Sequence, residues 1–464
     1  MQTSKQFKRL RVGIIGGGMT GLATAFYLAK NGVHVTVLEK ENEVGGLSRS
    51  EQIVPGLRWD RFYHVILPTD KELIRFIDEI GLGSDVQFRE TRTGFYTNGK
   101  LYSMSNIKEF LKFEPLSLLD KIRLGIGIFY TSKIKDWKRL ENLYVKAWLI
   151  RVFGRSNFEK LWEPLLRSKL GSASHQASAA FIWGCIKRLY DIRHSGSKKE
   201  RMGVVREGYH SILNHVRDRL LENGASILVN HGVEIVESSD NGRVLVRCSN
   251  GKVLKFDRLV MTIPNPQVLR VLPTVAGEFR SRLETVRYLS LICVTLVLSR
   301  PLSPFYITNL TDSKFPFTGI IEATNVVPRE ILGSKSLVYL PKYLPPEDPF
   351  LDFSDDQVLE VFIEGVRRIF PDLSDSDIVA QVVHSESYVQ PIQDVGYSDN
   401  IPSMKTPFEN VYLVNTTMIV NSTLNNNEVI KLARKIAEVV LSEQQQHRQP
   451  QASTQMFKRG ASVA

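Results

Sequence analysis

The chain has 464 residues, 43% hydrophobic, 23% charged and 9% aromatic; that much apolar surface excludes overall disorder and suits two connected domains. Its most apolar runs, residues 124–130 and 289–298, fall short of the roughly 20 residues that a membrane-spanning helix needs. The net charge of +11 equals the excess of one segment, residues 101–210, where 21 Lys and Arg face 10 Asp and Glu. Such a segment reads as a solvated face or as an attractor of anionic lipid or of a phosphorylated substrate. No nucleic-acid partner is expected, because the basic residues come with large aliphatics rather than a binding module.

Residues 1–11 are polar and basic without an apolar core, so no signal peptide is expected. The run 11–15 reads as a buried parallel strand that enters Gly16-Gly17-Gly18-Met19-Thr20-Gly21, a G-x-G-x-x-G turn. A helix follows, with Leu22, Ala25, Phe26, Leu28 and Ala29 on its packing side, and then an apolar strand over 33–38. Glu39 closes that strand 18 residues after the last glycine of the turn. In such a β-α-β unit Gly16 permits the tight turn, Gly18 lets backbone N–H groups reach a pyrophosphate, and Gly21 lets helix and strand pack closely. The helix N-terminus, opened by Met19 and Thr20, faces the phosphates with its partial positive charge. Glu39 accepts hydrogen bonds from ribose hydroxyls, and Lys40 follows it. Gly45-Gly46-Leu47-Ser48-Arg49 supplies a second glycine turn over the pyrophosphate and one more positive charge.

Thr69-x-x-Glu72 reads as a capping box opening a helix that stops at Gly81. Residues 104–200 read as several helices. Gly125 and Gly127 begin a second fingerprint, but Tyr130 stands where its third glycine belongs, so no separate nicotinamide-nucleotide domain is expected. An amphipathic helix (Ile212, Leu213, Val216, Leu220) precedes a strand over 233–236, and strand-like runs cover 291–298 and 338–340. Helical stripes cover 355–370 and 428–441, and the Gln-rich stretch from about 442 has no apolar periodicity. Cys185, Cys248 and Cys293 lie far apart, which excludes a disulfide scaffold and suits a reducing cytoplasm. No metal site is expected.

The extended fingerprint, Gly16 to Gly21 with Glu39 and Gly45-Gly46, resembles that of FAD-dependent oxidoreductases of the flavin-containing amine oxidase and protoporphyrinogen oxidase superfamily. The resemblance implies an α/β fold: a Rossmann-like FAD/NAD(P)-binding domain (GR2-type) interleaved with a mixed α+β substrate domain. It places FAD-domain segments at 1–100, 205–275 and 406–442, substrate-domain segments at 101–204 and 276–405, and a disordered tail at 443–464. Val233 falls where the family touches the adenine through its backbone. Thr262 lies in the strand and turn, 257–264, that re-enter the dinucleotide fold. Where the family ends its last strand with Gly-Asp, this chain has Asn415-Thr416, a substitution that removes a charge near the flavin. Any of Asn425, Asn426 and Asn427 suits the cap of the final helix, which the family points at the flavin. The cysteines lack the context of a covalent link, so FAD is expected to be noncovalent.

His64 is the candidate catalytic residue at the flavin edge, against the alternative of a structural histidine. Arg61 is a candidate for an anionic substrate, with Asp60 as its alternative partner. Tyr339, with Tyr343 and Trp183, is a candidate aromatic wall for the substrate, with burial in the core as the alternative. Three activities remain open: oxidation of a C–N or C–C bond of a small or lipid-like substrate by hydride transfer to flavin; a redox-neutral reaction on a sugar nucleotide resembling that of UDP-galactopyranose mutase; and non-redox binding like that of GDP-dissociation inhibitors. The expected location is the cytoplasm, with peripheral contact at the inner face of the membrane through the basic helical half. The sequence does not fix an oligomeric state.

Overall fold

Strand Arg11–Ile15 lies at the centre of a five-stranded parallel sheet in the computed structural model, which describes residues 9–194, 200–239, 241–312 and 314–448. On one side it pairs with His34–Leu38 and then Ser226–Leu228; on the other with Arg258–Met261 and then Val411–Leu413. Val12 sits between Val35 and Arg258, and Ile15 between Leu38 and Met261. Both faces of the sheet are covered, which is why these strands read as unbroken apolar runs. Helix Met19–Lys30 buries every residue but Lys30, packing Phe26 and Leu28 into a core that includes Ile430, Ala433 and Ile436 of the final helix.

A second sheet has seven strands, ordered Ile378–Pro391, Tyr288–Leu298, Ser336–Leu344, Gly319–Glu322, Ile307–Leu310, Thr93–Thr97 and Lys100–Ser103. Strand Tyr288–Leu298 is apolar throughout because it feeds two cores in alternation. Leu291, Cys293 and Val297 join Trp59, Phe62 and Tyr339 on one face, and Ile292, Val294, Leu296 and Leu298 meet Val358, Phe362 and Val366 on the other. The last three belong to helix Asp355–Ile369, opened by a Ser354–Gln357 capping box. A cluster of helices between Ile107 and His194 packs around Leu124, Trp148, Leu149, Phe153 and Leu161.

The structure corrects four expectations. The boundary at residue 100 falls too late: Thr93–Thr97 and Lys100–Ser103 are strands of the second sheet, with Thr93 opposite Ile307. The boundary at 275 falls too early, since helix Gly277–Thr285 packs Phe279 and Leu283 into the core of Val411 and Leu413. The final helix runs over Asn426–Arg448, past the expected stop at 442; residues 449–464 of the expected tail lie outside the described residues. The Thr69–Glu72 capping box is absent. Asp70 is the N-cap of helix Lys71–Glu79 and makes no side-chain cap bond. The cap comes from far along the chain: Oδ1 of Asn427 accepts from the N–H groups of Glu72 (3.0 Å) and Leu73 (3.3 Å). Glu72 is then free to hold Arg434 through two bonds of 3.1 Å. Replacing Asn427 with Ala leaves both amides without that acceptor and should cost about 1 kcal/mol, read as an earlier urea midpoint, while Asn427→Asp should keep most of it.

Candidate active site

No side chain caps helix Met19–Lys30, whose N-cap is Gly18, so the first-turn N–H groups and the positive end of the helix are left for an anion. Gly21 has no room for a side chain, because a Cβ there would lie 1.9 Å from the Gly16 carbonyl oxygen. The second glycine turn backs the first: Gly45 N donates to Gly17 O at 2.8 Å, and Gly46 lies against Gly18. Gly45 and Gly46 hold φ values of 129° and 53°, where side chains are strained. In front of Gly18 the space is open; a Cβ there would approach no protein atom closer than 3.9 Å. This is a cradle shaped for a pyrophosphate.

Glu39 is buried beside it and accepts from Gly17 N (2.7 Å) and Glu41 N (2.9 Å). Those bonds fix the carboxylate at the end of strand His34–Leu38, where it lines the cleft with Lys40, Leu47, Ser48, Arg49, Val233 and Thr262. Thr262 Oγ1 donates to Ile15 O at 2.9 Å and closes the sheet under the turn. Asn415 also lines the cleft, but its amide is committed to the protein. Nδ2 donates to Ile263 O (2.8 Å) and to Asn265 Oδ1 (2.9 Å), and Oδ1 accepts from Thr417 N (3.1 Å) and Thr417 Oγ1 (2.6 Å). A carboxylate cannot donate those two bonds, which explains an Asn at this position. Asn265 is the partner that sequence reasoning missed.

The three asparagines at the start of the final helix divide their work. Asn425 is the cap, with Oδ1 accepting from Glu428 N at 3.1 Å. Asn426 turns to Ser48 Oγ at 3.4 Å, at the second glycine turn. Asn427 holds helix Lys71–Glu79, so its side chain is turned away from the cleft, contrary to its expected place at the cofactor.

His64 lines the cleft, its Nδ1 3.0 Å from Phe62 O and its ring 4.5 Å from that of Tyr209. Burial pushes its pKa down to about 4, so the ring is neutral near pH 7. Arg61 does not pair with Asp60. Its guanidinium reaches Glu386 at 3.2 Å and Glu51 at 3.8 Å, facing His384. Asp60 instead accepts from Ser50 Oγ (2.6 Å) and Tyr209 N (3.1 Å), and burial pushes its pKa up to about 7. Tyr339 is almost fully buried, donates to Asp60 O at 2.6 Å and lies outside the cleft lining, which corrects its expected role at the substrate. Trp183 is buried too, donating to Thr131 O. Of the three aromatic candidates, Tyr343 is the one that lines the cleft.

The cleft does not end at these residues. It continues as one cavity of about 2130 Å³ into a lobe lined by Phe110, Leu124, Ile128, Leu161, Leu165 and Ile186 of the helical half. A single-ligand pocket usually takes about 300–1,000 Å³, so this one has room for a dinucleotide and a second molecule beside it. The basic residues Lys169 and Arg188 stand in the lining, and sequence reasoning singled out neither. For Lys169 a signal existed: it lies one turn beyond Leu165 on one helix face.

The family model of the flavin containing amine oxidoreductases matches residues 19–424. The chain belongs to that family. FAD is the cofactor and the protein is an FAD-dependent oxidoreductase. It is 21% identical over 453 residues to the zeta-carotene desaturase of Solanum lycopersicum, covering 87% of this chain and 76% of the relative. It is 29% identical over 187 residues to the mitochondrial protoporphyrinogen oxidase of Nicotiana tabacum, covering 39% and 37% of the two chains. Among solved structures, an oxidoreductase from Methanosarcina mazei superposes with a TM-score of 0.74 at 17% identity, covering 92% of this chain and 100% of the other.

The open space before Gly18, the uncapped helix and the fixed Glu39 fit the pyrophosphate and adenosine ribose of FAD. Gly18→Val should fill that space and abolish FAD uptake without disturbing the fold. Glu39→Ala should weaken FAD by about one to two decades through the loss of a charged acceptor. Equilibrium dialysis against free FAD measures both, and acid precipitation of the wild-type protein should release all of its flavin.

Proposed function

We propose that this flavoprotein oxidises a C–C or C–N bond of an extended, largely apolar substrate. The observation that carries this reading is the continuity of the dinucleotide cleft with an apolar lobe in one cavity. Bound FAD supplies the hydride acceptor. The chain's own residues do the rest: Glu39, Lys40, Arg49 and the two glycine turns hold the cofactor's polar half, Val233 meets the adenine, and Asn415 and Thr262 set the cleft floor. His64, neutral and packed against Tyr209, contributes shape to the cleft lining rather than charge. The lobe excludes water from the reacting bond through Leu161, Leu165 and Ile186. The interleaved segments and the carboxylate beyond the second strand favour the GR2-type variant of the dinucleotide fold. The sugar-nucleotide reaction is the weaker reading, since the lobe beside the dinucleotide cleft is walled by Leu124, Ile128, Leu161, Leu165 and Ile186, and a non-redox role leaves the cradle unexplained. In anaerobic titrations of the FAD-loaded protein, carotenoid-like polyenes and long-chain amines should bleach the flavin's visible band. Bleaching by neither class, with turnover of a UDP-sugar instead, would overturn this reading.

The entrance supports peripheral membrane contact. Helix Leu118–Lys133 is turned inside out: Leu118, Leu119, Ile122, Ile126, Phe129 and Tyr130 face solvent, with Leu119 78% and Leu118 66% exposed. At about 100° per residue they span an arc of about 120°. Lys121, by contrast, is buried and donates to Leu111 O at 2.7 Å. Ile107 and Leu111 of the preceding short helix are exposed as well and, with Phe129, line the cavity. No helix among the described residues is long and apolar enough to cross a membrane. An apolar stripe beside Lys108, Lys112, Lys133 and Lys135 suits insertion into an anionic leaflet at the inner face of the cell membrane. Vesicles containing phosphatidylglycerol should sediment the protein at low salt, and Leu119→Glu together with Ile126→Glu should abolish that binding while leaving FAD content unchanged. Equal sedimentation of this variant and wild type would show that the stripe is not the contact.

A further inference from the structure

One cation of the cavity lining rests on an aromatic ring and not on a carboxylate. Lys169 stands in the last turn of helix Glu163–Leu170, half-buried, with Nζ 3.5 Å from the centre of the Tyr343 ring. The Tyr343 hydroxyl is bonded to that of Tyr63 at 2.9 Å, which fixes the ring under the ammonium. Lys169, Tyr343 and Tyr63 all line the cavity. Neighbouring cations are neutralised: Asp70 holds Arg188 at 2.8 Å, and Glu386 holds Arg61 at 3.2 Å. Among the described residues no carboxylate lies within ion-pair distance of Lys169. An ammonium withdrawn from water keeps its charge only at a cost that a ring face offsets in part. With Arg188 and Arg61 neutralised beside it, an ammonium left to an aromatic ring is open to an outside anion.

The residues on either side define the rest of that partner. Leu165 lies one turn away on the same helix face, and Leu161 and Ile186 continue the apolar lining. We propose that Lys169 receives a terminal oxyanion, a carboxylate or a phosphate, on a substrate whose apolar body lies along Leu161, Leu165 and Ile186. The inference rests on the reading of the lobe as the substrate pocket and adds to it the polarity and orientation of the substrate. The charged end sits at Lys169, beside Tyr343 and Tyr63.

Calorimetric titration of the FAD-loaded protein, without vesicles, separates the parts. The probes are decanoate, decyl phosphate, decanol and inorganic phosphate, each below its aggregation limit. Wild type should bind at least one of the two amphiphilic anions about tenfold or more tightly than decanol. Lys169→Met should remove that preference while keeping decanol affinity and FAD content, and Lys169→Arg should restore most of it. Equal binding of anions and alcohol by wild type, or a preference that survives Lys169→Met, overturns the assignment of Lys169 alone. Inorganic phosphate binding as tightly as decyl phosphate overturns the amphiphile. If none of the ten-carbon probes binds while FAD is in place, the pocket reading falls and this inference with it.

Discussion

Parallel strands cannot be joined by tight turns, and that constraint organises the whole molecule. Each neighbour in the sheet around Arg11–Ile15 must be reached by a crossover, and the chain uses two of these crossovers to build its other half. Between His34–Leu38 and Ser226–Leu228 it makes the helical cluster; between Arg258–Met261 and Val411–Leu413 it makes most of the second sheet. Two bodies so interleaved are tied to one another by several crossings of the chain. The cavity between them is therefore a fixed feature of the fold, open to the cradle on one side and to the apolar lobe on the other.

The charge ledger at the cavity follows from the same geometry. Side chains converge there from segments that were never neighbours in sequence, and several are matched in pairs: Arg188 with Asp70, Arg61 with Glu386 and Glu51. Asn415 shows the neutral version of this matching. Its amide joins the end of strand Val411–Leu413 to Asn265 in the turn after Arg258–Met261, a link that needs a donor and an acceptor on one side chain. The loss of a family carboxylate is thereby a gain of connection within the scaffold.

The first 49 residues were readable because their meaning is local. Gly16 to Gly21, Glu39 and Gly45-Gly46 act through backbone shape at short range, so spacing alone carries the message. Long apolar runs such as 291–298 were equally plain, since burial on both faces leaves little ambiguity about a strand. The sequence was opaque wherever a side chain is used by a distant partner. Thr69 and Glu72 have the spacing of a capping box, yet Asn427 takes the cap, and neither position reveals the other. Tyr339 looked like a pocket aromatic but spends its hydroxyl on Asp60. The inverted helix Leu118–Lys133 was visible as mixed aliphatic and basic content; which face it turns outward depends on Phe153 and Trp183 packing against its small-residue side.

The cap that Asn427 lends to helix Lys71–Glu79 bears on how the protein is made. A ribosome feeds out the N-terminal segments first, and a domain ordinarily begins to fold as it emerges. Here an early helix waits for an amide more than 350 positions later, and the first sheet waits for its edge strand Val411–Leu413. Until then the core under helix Met19–Lys30 lacks Tyr412, Val414, Ile430, Ala433 and Ile436, and the core of Leu259 and Met261 lacks Val411 and Leu413, while the helical cluster already has its own core. The nascent chain thus carries a finished substrate half beside an unfinished nucleotide half. Apolar surface exposed for the time of translation between the two is what chaperones cover.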